Sequence, residues 1–161
     1  MLSSQRSPVS EPNEEKAHSG YGLVGALETS NRSPSDIHGL DTIRIVELFK
    51  GFGYTCKPQG KLRGISGVLH EFDFVCTKLI TGEKLILQSL LPMKESVEKL
   101  DVEVVKLRLS TYDCTPDVCL VVTSHFTDRV QQMASLYRLT VIDSSSENPY
   151  DQIESLLRLQ A

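Results

Sequence analysis

The chain lacks the features that most directly assign a function. It has no excess of basic residues, since 17 Lys and Arg stand against 21 Asp and Glu and the formal net charge is −4. No global positive field therefore draws it to nucleic acid. It also has no Gly-rich phosphate loop between a strand and a helix and no nucleophile elbow, so these two signatures of nucleotide binding and hydrolysis are absent.

The cysteines and the apolar segments exclude further classes. The four cysteines, Cys56, Cys76, Cys114 and Cys119, include no CxxC pair, which argues against a zinc site. Cys76 and Cys119 fall in predicted strands as small core residues, and we expect free thiols and a reducing cytoplasm. No apolar run reaches the roughly 18 residues of a membrane span, and the N-terminus has no apolar signal core. We therefore expect a cytoplasmic protein with no membrane partner.

Length and composition favour one folded domain. The chain has 161 residues, 40% of them hydrophobic, which suits a single core. Residues 1–35 are rich in Ser, Glu, Pro, Asn and Gly, so we expect them to be disordered, with a transient helix at most over residues 23–29. A partner-binding arm is the alternative for this segment. The domain is expected to cover residues 36–161.

Hydrophobic periodicity predicts an alternating α/β chain. The predicted order is α-β-β-β-α-β-α-β-α, in which strands separated by helices run parallel and the hairpin adds an antiparallel part. We expect a three-layer α-β-α sandwich with a mixed central sheet. The first helix should bury Leu40, Ile43, Val46 and Phe49, and a short edge strand over residues 54–57 should lead into a loop over residues 58–64.

A predicted hairpin carries the candidate chemistry. Residues 68–77 alternate with the period of two that is typical of a strand. The second arm, residues 84–90, is almost wholly apolar, as in a strand covered on both faces, and Gln88 interrupts it. A buried amide needs a hydrogen-bond partner, and Asp73 on the first arm is a candidate for it.

The residues around this hairpin resemble a known superfamily. The pattern Gly-x-Ser-Gly at residues 64–67, followed by His-x-Phe-Asp at residues 70–73, is similar to the PD-(D/E)xK restriction-endonuclease-like superfamily. The likeness is greatest to its Mrr-type and archaeal Holliday-junction-resolvase-like branches and covers about residues 38–145. It implies a restriction-endonuclease-like fold in which Asp73 binds metal and Gln88 is the first residue of the catalytic triplet. The triplet's lysine falls on Leu90, which is a departure from the pattern.

The resemblance also implies the rest of the catalytic set. Mg²⁺ would be held by Asp73 and by Glu47 of the first helix, because hard cations prefer carboxylate oxygens. Gln88 would add a neutral oxygen. The resemblance supplies no lysine, and from its position we expect Lys94, which opens the next helix close to the end of this strand, to substitute for it beside the attacking water. The alternatives are a structural, hydrogen-bonded Asp73 and solvated side chains at Glu47 and Lys94.

Local charge suggests where DNA would bind. No acidic residue lies between Glu47 and Glu71, whereas that segment contains several basic residues and glycines with open backbone amides. Such a combination suits phosphate contact. The DNA-binding residues that we predict are Lys57, Lys61, Arg63 and Ser66. A flexible, solvated loop is the alternative.

The resulting hypothesis is a Mrr-like protein that acts on or binds DNA through a metal-dependent endonuclease site with a degenerate triplet. DNA would be held weakly, through its phosphate backbone, and a homodimer is left open. The alternatives are a non-catalytic module on the same fold that binds nucleic acid or protein, and an unrelated α/β interaction domain.

Overall fold

From the first helix onward, strands and helices follow the order that the periodicity predicts, and two short strands that were not predicted precede that helix. The structure, a computed structural model, describes residues 36–90, 97–125 and 127–160, except for the side chains of residues 97–101 and 129. The elements are β1 (Asp36–Ile37), β2 (Leu40–Asp41), α1 (Thr42–Gly51), β3 (Tyr54–Arg63), β4 (Leu69–Lys78), β5 (Lys84–Ser89), α2 (Val97–Cys114), β6 (Val118–Thr123), α3 (Asp128–Tyr137), β7 (Thr140–Asp143) and α4 (Pro149–Leu159).

A mixed five-stranded sheet organises the described residues. Its strand order is β3-β4-β5-β6-β7, with antiparallel pairing from β3 to β5 and parallel pairing from β5 to β7. Right-handed crossover helices are the expected connection between parallel strands. The expected mixed α/β architecture is therefore confirmed, and β1 and β2 form a separate two-stranded ribbon.

The two faces of the sheet bury two separate cores, as the period of two along each strand requires. On one face, Ile45 and Phe49 of α1 and Ile153 and Leu157 of α4 pack with alternate sheet residues such as Leu87. The other face is covered by residues of α2 and α3, among them Val104, Leu107 and Ala134. Each large apolar side chain buried in this way contributes about 1.5–3 kcal/mol. The layers are helix, sheet and helix.

The first helix begins later than the sequence indicates. Asp41 is its N-cap and accepts a hydrogen bond from the Arg44 amide at 3.1 Å, so the helix begins at Thr42. Leu40 is buried in β2 instead, and Ile43 is 60% exposed, so the predicted inner position of Ile43 was wrong. Phe49 is buried as predicted.

The predicted loop over residues 58–64 is mostly strand. β3 continues to Arg63, and all of its residues except Gln59 have a partner in the register with β4. Pro58 is compatible with this because β3 is an edge strand. Gly60 is required there, since a Cβ atom would lie 2.6 Å from Val75 Cγ2. The Pro and Gly that indicated a loop are thus adaptations of an edge strand to its neighbour.

Two of the four cysteines form a disulfide. Cys56 and Cys76 are partners in the β3–β4 register, although 20 residues separate them in sequence. The prediction of free thiols was wrong for this pair, because the antiparallel register joins cysteines that no short motif connects. Cys114 and Cys119 are free and buried, and burial raises the pKa of the Cys119 thiol to about 12. The expectation of a cytoplasmic location loses the support it took from Cys56 and Cys76.

Other boundaries agree with the sequence pattern. α2 ends at Cys114, before Thr115 and Pro116, and α4 begins at Pro149 after the N-cap Asn148. In the three described ranges, no helix has the length and apolar character to cross a bilayer. The predictions made for residues 1–35 and for Lys94 lie outside the described residues.

Candidate functional site

The buried carboxylate of Asp73 lies where the β4–β5 ladder ends. The ladder runs from Thr77 opposite Lys84 to Phe74 opposite Leu87. Beyond it, Asp73 Oδ2 accepts a hydrogen bond from the Ser89 amide at 2.7 Å. The carboxylate thus provides the hydrogen-bond acceptor for the Ser89 amide at the point where the described pairing of β4 with β5 ends. Asp73 is only 6% exposed, and a buried charge needs such partners.

The second oxygen of Asp73 is engaged by the β1–β2 turn. His38 Nδ1 lies 2.8 Å from Asp73 Oδ1, and the Ser89 hydroxyl donates to the His38 carbonyl at 2.8 Å. His38 and Gly39 both have positive φ, 44° and 84°, which makes the turn that brings the imidazole over the strand end. The sequence analysis missed His38 because Leu40 was assigned to a helix. The His-Gly pair between Ile37 and Leu40 was the available signal.

Gln88 lies beside Asp73, and the structure brings these two predicted residues together. The Gln88 Oε1 atom accepts a hydrogen bond from the Asp73 amide at 3.2 Å. Gln88 also lines a cavity of about 140 Å³ together with Leu90, Glu71 and Lys106. Leu90 is half-buried in the wall of this cavity. Lys106, which the sequence analysis did not consider, lies 2.6 Å from Glu103 Oε1.

The remaining predicted catalytic residues do not join this pair within the described ranges. Glu47 is exposed on α1, and among the described residues it has no hydrogen bond or ion pair with Asp73 or Gln88. Lys94 is outside the described residues. No cluster of three or more His, Cys, Asp or Glu side chains suited to a metal occurs in residues 36–90, 97–125 and 127–160. One carboxylate whose oxygens both face protein donors does not fit a resident Mg²⁺ ion.

The three basic side chains predicted to bind DNA form a row on the edge strand. Lys57, Lys61 and Arg63 occupy odd positions of β3, where the strand's exposed residues alternate with less exposed ones. Lys61 Nζ lies 3.2 Å from Glu71 Oε2, and the Arg63 guanidinium donates to the Gly67 carbonyl at 2.9 Å. We call Lys57, Lys61 and Arg63 the basic row. It lies on a strand and not on the loop that the sequence indicated.

Ser66, the fourth predicted DNA-binding residue, is held by α2. Its hydroxyl and its amide both donate to the Asp113 carboxylate, at 2.6 and 2.8 Å. His70 Nε2 lies 2.7 Å from the same carboxylate. The two Ser66 bonds and the His70 bond lower the pKa of Asp113 to about 2. The Ser66 hydroxyl therefore holds the Gly64–Gly67 segment to α2 through Asp113. A catalytic serine would instead contact a general base.

Gly64 shows how closely this loop approaches the helix. A Cβ atom added there would fall 1.8 Å from Asp113 Oδ2, so only glycine fits. The Gly-x-Ser-Gly pattern thus has a structural cause in the clasp that we define as Gly64, Ser66, His70 and Asp113. The sequence analysis missed Asp113, since 43 residues separate it from His70.

Comparison with known proteins yields a fold likeness. No protein-family model matches the chain, and no curated protein matches it. The structure is similar to one titled "Crystal Structure of Protein of Unknown Function AF1548", with a TM-score of 0.50 and 14% sequence identity. The match covers 65% of this chain and 56% of that chain. A likeness at this identity concerns the fold.

Proposed function

We propose that this chain is a restriction-endonuclease-like domain that binds DNA through its phosphate backbone and hydrolyses it very slowly or not at all. The observation that carries the proposal is the state of Asp73, whose two carboxylate oxygens face the Ser89 amide and the His38 imidazole. A carboxylate engaged in this way is a structural anchor. The proposal combines this anchor with the resemblance of the hairpin to the PD-(D/E)xK superfamily.

The layout of the sheet supports the fold named in this proposal. Asp73 stands on the middle strand of an antiparallel trio, β3-β4-β5, and Gln88 stands on the next strand. Parallel strands β6 and β7 follow. This arrangement agrees with the resemblance that the sequence pattern indicates, in which an Asp on one hairpin arm faces the triplet on the other.

The residues around Gln88 support the loss of hydrolysis. Metal-dependent phosphodiester cleavage needs a metal that polarises the phosphate and lowers the pKa of the attacking water. Gln88 contributes no charge, and Leu90 stands where the resemblance places the lysine. Lys106 reaches the same cavity, but its ammonium group is paired with Glu103. The residues at this site therefore do not support a metal-dependent step.

The basic row supports contact with phosphates. Its cations stand on one face of an extended strand, so neighbouring positions two residues apart are about 6.8 Å apart and Lys57 and Arg63 about 20 Å apart. Phosphates of one DNA strand follow each other every ~3.4 Å along the axis, so the row can meet several of them. Lys61 would exchange Glu71 for a phosphate at small cost, because an exposed ion pair contributes only about 0–1 kcal/mol.

A salt titration tests the binding proposal. Binding of a labelled duplex is followed by fluorescence anisotropy at several salt concentrations. Each phosphate contact contributes about −0.9 to the slope of log K against log salt, so replacing Lys57, Lys61 and Arg63 by Gln should reduce the slope by about 2.7. The matched control replaces Arg44, Lys84 and Arg158 by Gln, which changes the net charge equally.

The control protein should keep the slope of the unmodified chain. Equal slopes for all three proteins would reject the basic row as the DNA contact. Binding that is absent in the unmodified chain at low salt would reject the proposed function and favour a module that binds another protein.

A further inference from the structure

A second cavity lies at the end of the sheet where the parallel strands β6 and β7 begin. Its volume is about 420 Å³, and its lining includes Arg108, Tyr112, Thr115, Tyr137 and Arg138. Asp73 lies near the opposite end, where β5 finishes at Ser89. The volume falls in the range of roughly 300–1,000 Å³ that is usual for small-molecule sites.

Arg108 is held in this cavity by aromatic rings. Its guanidinium carbon lies 5.3 Å from the ring centre of Tyr112 and 5.4 Å from that of Tyr137. Cation–π contact at such distances orients a guanidinium without using its hydrogen-bond donors. Among the described residues, neither Arg108 nor Arg138 has an ion-pair partner. Two guanidinium groups therefore remain to bind an anion.

Two residues at this cavity adopt a left-handed backbone conformation that residues with a Cβ atom disfavour. Arg138, the C-cap of α3, has φ of 55°, and Thr115, just after α2, has φ of 47°. Glycine is the usual residue at such left-handed positions, and a β-branched residue there is an outlier. Strained positions of this kind cluster at functional sites. Two of the four non-glycine residues with positive φ in the described ranges line this one cavity, which makes it a candidate functional site.

The other polar groups define the ligand more closely. Asp117 also lines the cavity, where its Oδ2 atom accepts a hydrogen bond from the Lys84 amide at 2.7 Å. The carboxyl ends of α2 and α3 add partial negative charge. A simple anion would meet this negative charge as well as the arginines. A ligand that joins a phosphate to a flat ring bearing N–H donors suits both kinds of group.

We propose that the cavity binds a nucleoside monophosphate unit. The phosphate lies on Arg108 and Arg138, the base stacks on Tyr112, and an amino group of the base donates to Asp117. Tyr112 is 71% exposed, so the base would stack on the part of its ring that Arg108 leaves uncovered. The unit is either a free nucleotide or the phosphorylated end of a single strand. This site is independent of the basic row and of the proposed function.

Calorimetric titration of the full chain with AMP tests the proposal. The decisive variant is Arg138→Gly, which removes the cation and relieves the left-handed strain at the same position. It should weaken AMP binding at least tenfold while the melting temperature stays the same or rises. Arg138→Asn, whose side chain also tolerates positive φ, is the second variant and should weaken binding equally. Arg158→Gln is the charge-matched control and should bind AMP as the unmodified chain does.

Further titrations test which parts of AMP are needed for binding and whether the ligand is a free nucleotide or the end of a strand. Adenosine and inorganic phosphate should each bind at least tenfold more weakly than AMP. A 5′-phosphorylated octanucleotide that Arg138→Gly weakens by the same factor as AMP identifies a strand end, and an octanucleotide unaffected by the change identifies a free nucleotide. The proposal is overturned by absent AMP binding at millimolar concentration, by equal binding of phosphate and AMP, or by unchanged AMP affinity in Arg138→Gly.

Discussion

At the scale of single residues, Asp73 and Asp113 have similar structural roles in the described part of the chain. Each carboxylate binds together parts of the chain that lie far apart in sequence: Asp73 joins the β1–β2 turn to the end of β5, and Asp113 joins the Gly64–Gly67 segment to α2. Charge-assisted hydrogen bonds of this kind are stronger than neutral ones. Both carboxylates are therefore expected to matter for stability.

Restoring the catalytic triplet tests the role of Gln88 and Leu90. The unmodified chain should not nick supercoiled plasmid in Mg²⁺ or Mn²⁺. The double variant Gln88→Glu and Leu90→Lys supplies the missing charge and ammonium group, and a general acid or base typically contributes about 10²–10⁴-fold. Nicking should appear in the double variant and disappear when Asp73→Ala is added. Rapid nicking by the unmodified chain would contradict the proposed loss of hydrolysis, and a Lys94→Ala variant would then show whether Lys94 had taken the role.

Acid should weaken the clasp at Asp113. Its pKa is about 2 in the folded chain against an ordinary value of 3.8, so the charged form stabilises the fold above the ordinary value. This stabilisation is lost as the pH falls from about 4 through 2. The melting-temperature gap between the unmodified chain and Asp113→Asn should be fully present above about pH 5 and should close towards pH 2. The same pair in a His70→Gln background removes the imidazole's contribution, and a gap that does not change with pH would contradict the assignment.

At the scale of elements, β3 depends most on tertiary context. Its residues alternate in exposure along the strand, with Tyr54 and Gly60 buried and the basic row exposed. Lysine, arginine and proline on an edge strand also hinder pairing with other chains. The same residues thus protect the edge and present positive charge, which is why the basic row can be solvated and yet ordered.

The Cys56–Cys76 disulfide gives a direct test of the β3–β4 register. Titration of the denatured, unreduced chain should detect two thiols, from Cys114 and Cys119, and four after reduction. Closing a loop of this length contributes about 3 kcal/mol by the chain-entropy estimate, so the paired change of Cys56 and Cys76 to Ser should lower the melting temperature by roughly 10 °C. Four thiols without reduction would contradict the pairing. Changing Cys114 to Ser is a single-site control that leaves the bridge intact.

At the scale of the whole molecule, charge distribution limits the affinity for DNA. The net charge of −4 opposes the field of the basic row, so binding should be weak and sensitive to salt. The basic row, which we propose contacts DNA phosphates, lies on edge strand β3. The cavity that we propose binds a nucleotide lies where β6 and β7 begin. These two surfaces can be tested separately because no residue belongs to both.

Removing residues 1–35 should leave the fold intact. Their composition offers little apolar surface to bury, so the trimmed and full chains should melt within about 5 °C of each other, which corresponds to on the order of 1 kcal/mol. Differential scanning calorimetry of the two chains provides the comparison. A larger loss on trimming would show that the segment packs against the domain and would contradict the prediction.

The sequence by itself determined the order of the main elements from the first helix onward and the placement of Asp73 and Gln88 on neighbouring strands. Local patterns were sufficient for this: the periods of two and 3.6, the turn residues, and the Asn148-Pro149 helix start depend on residues close to one another. The hairpin pattern likewise placed Asp73 and Gln88 on facing arms, because one turn fixes the register between neighbouring strands.

Only the tertiary structure decided the contacts that join distant segments. His38 meets Asp73 across 35 residues, Asp113 meets Ser66 across 47, and Cys56 meets Cys76 across 20. No local period encodes such pairs, since each depends on how separate elements pack. The sequence did not predict the conformation of Arg138 for the same reason. The surrounding fold imposes a left-handed backbone on this arginine, against the residue's own preference.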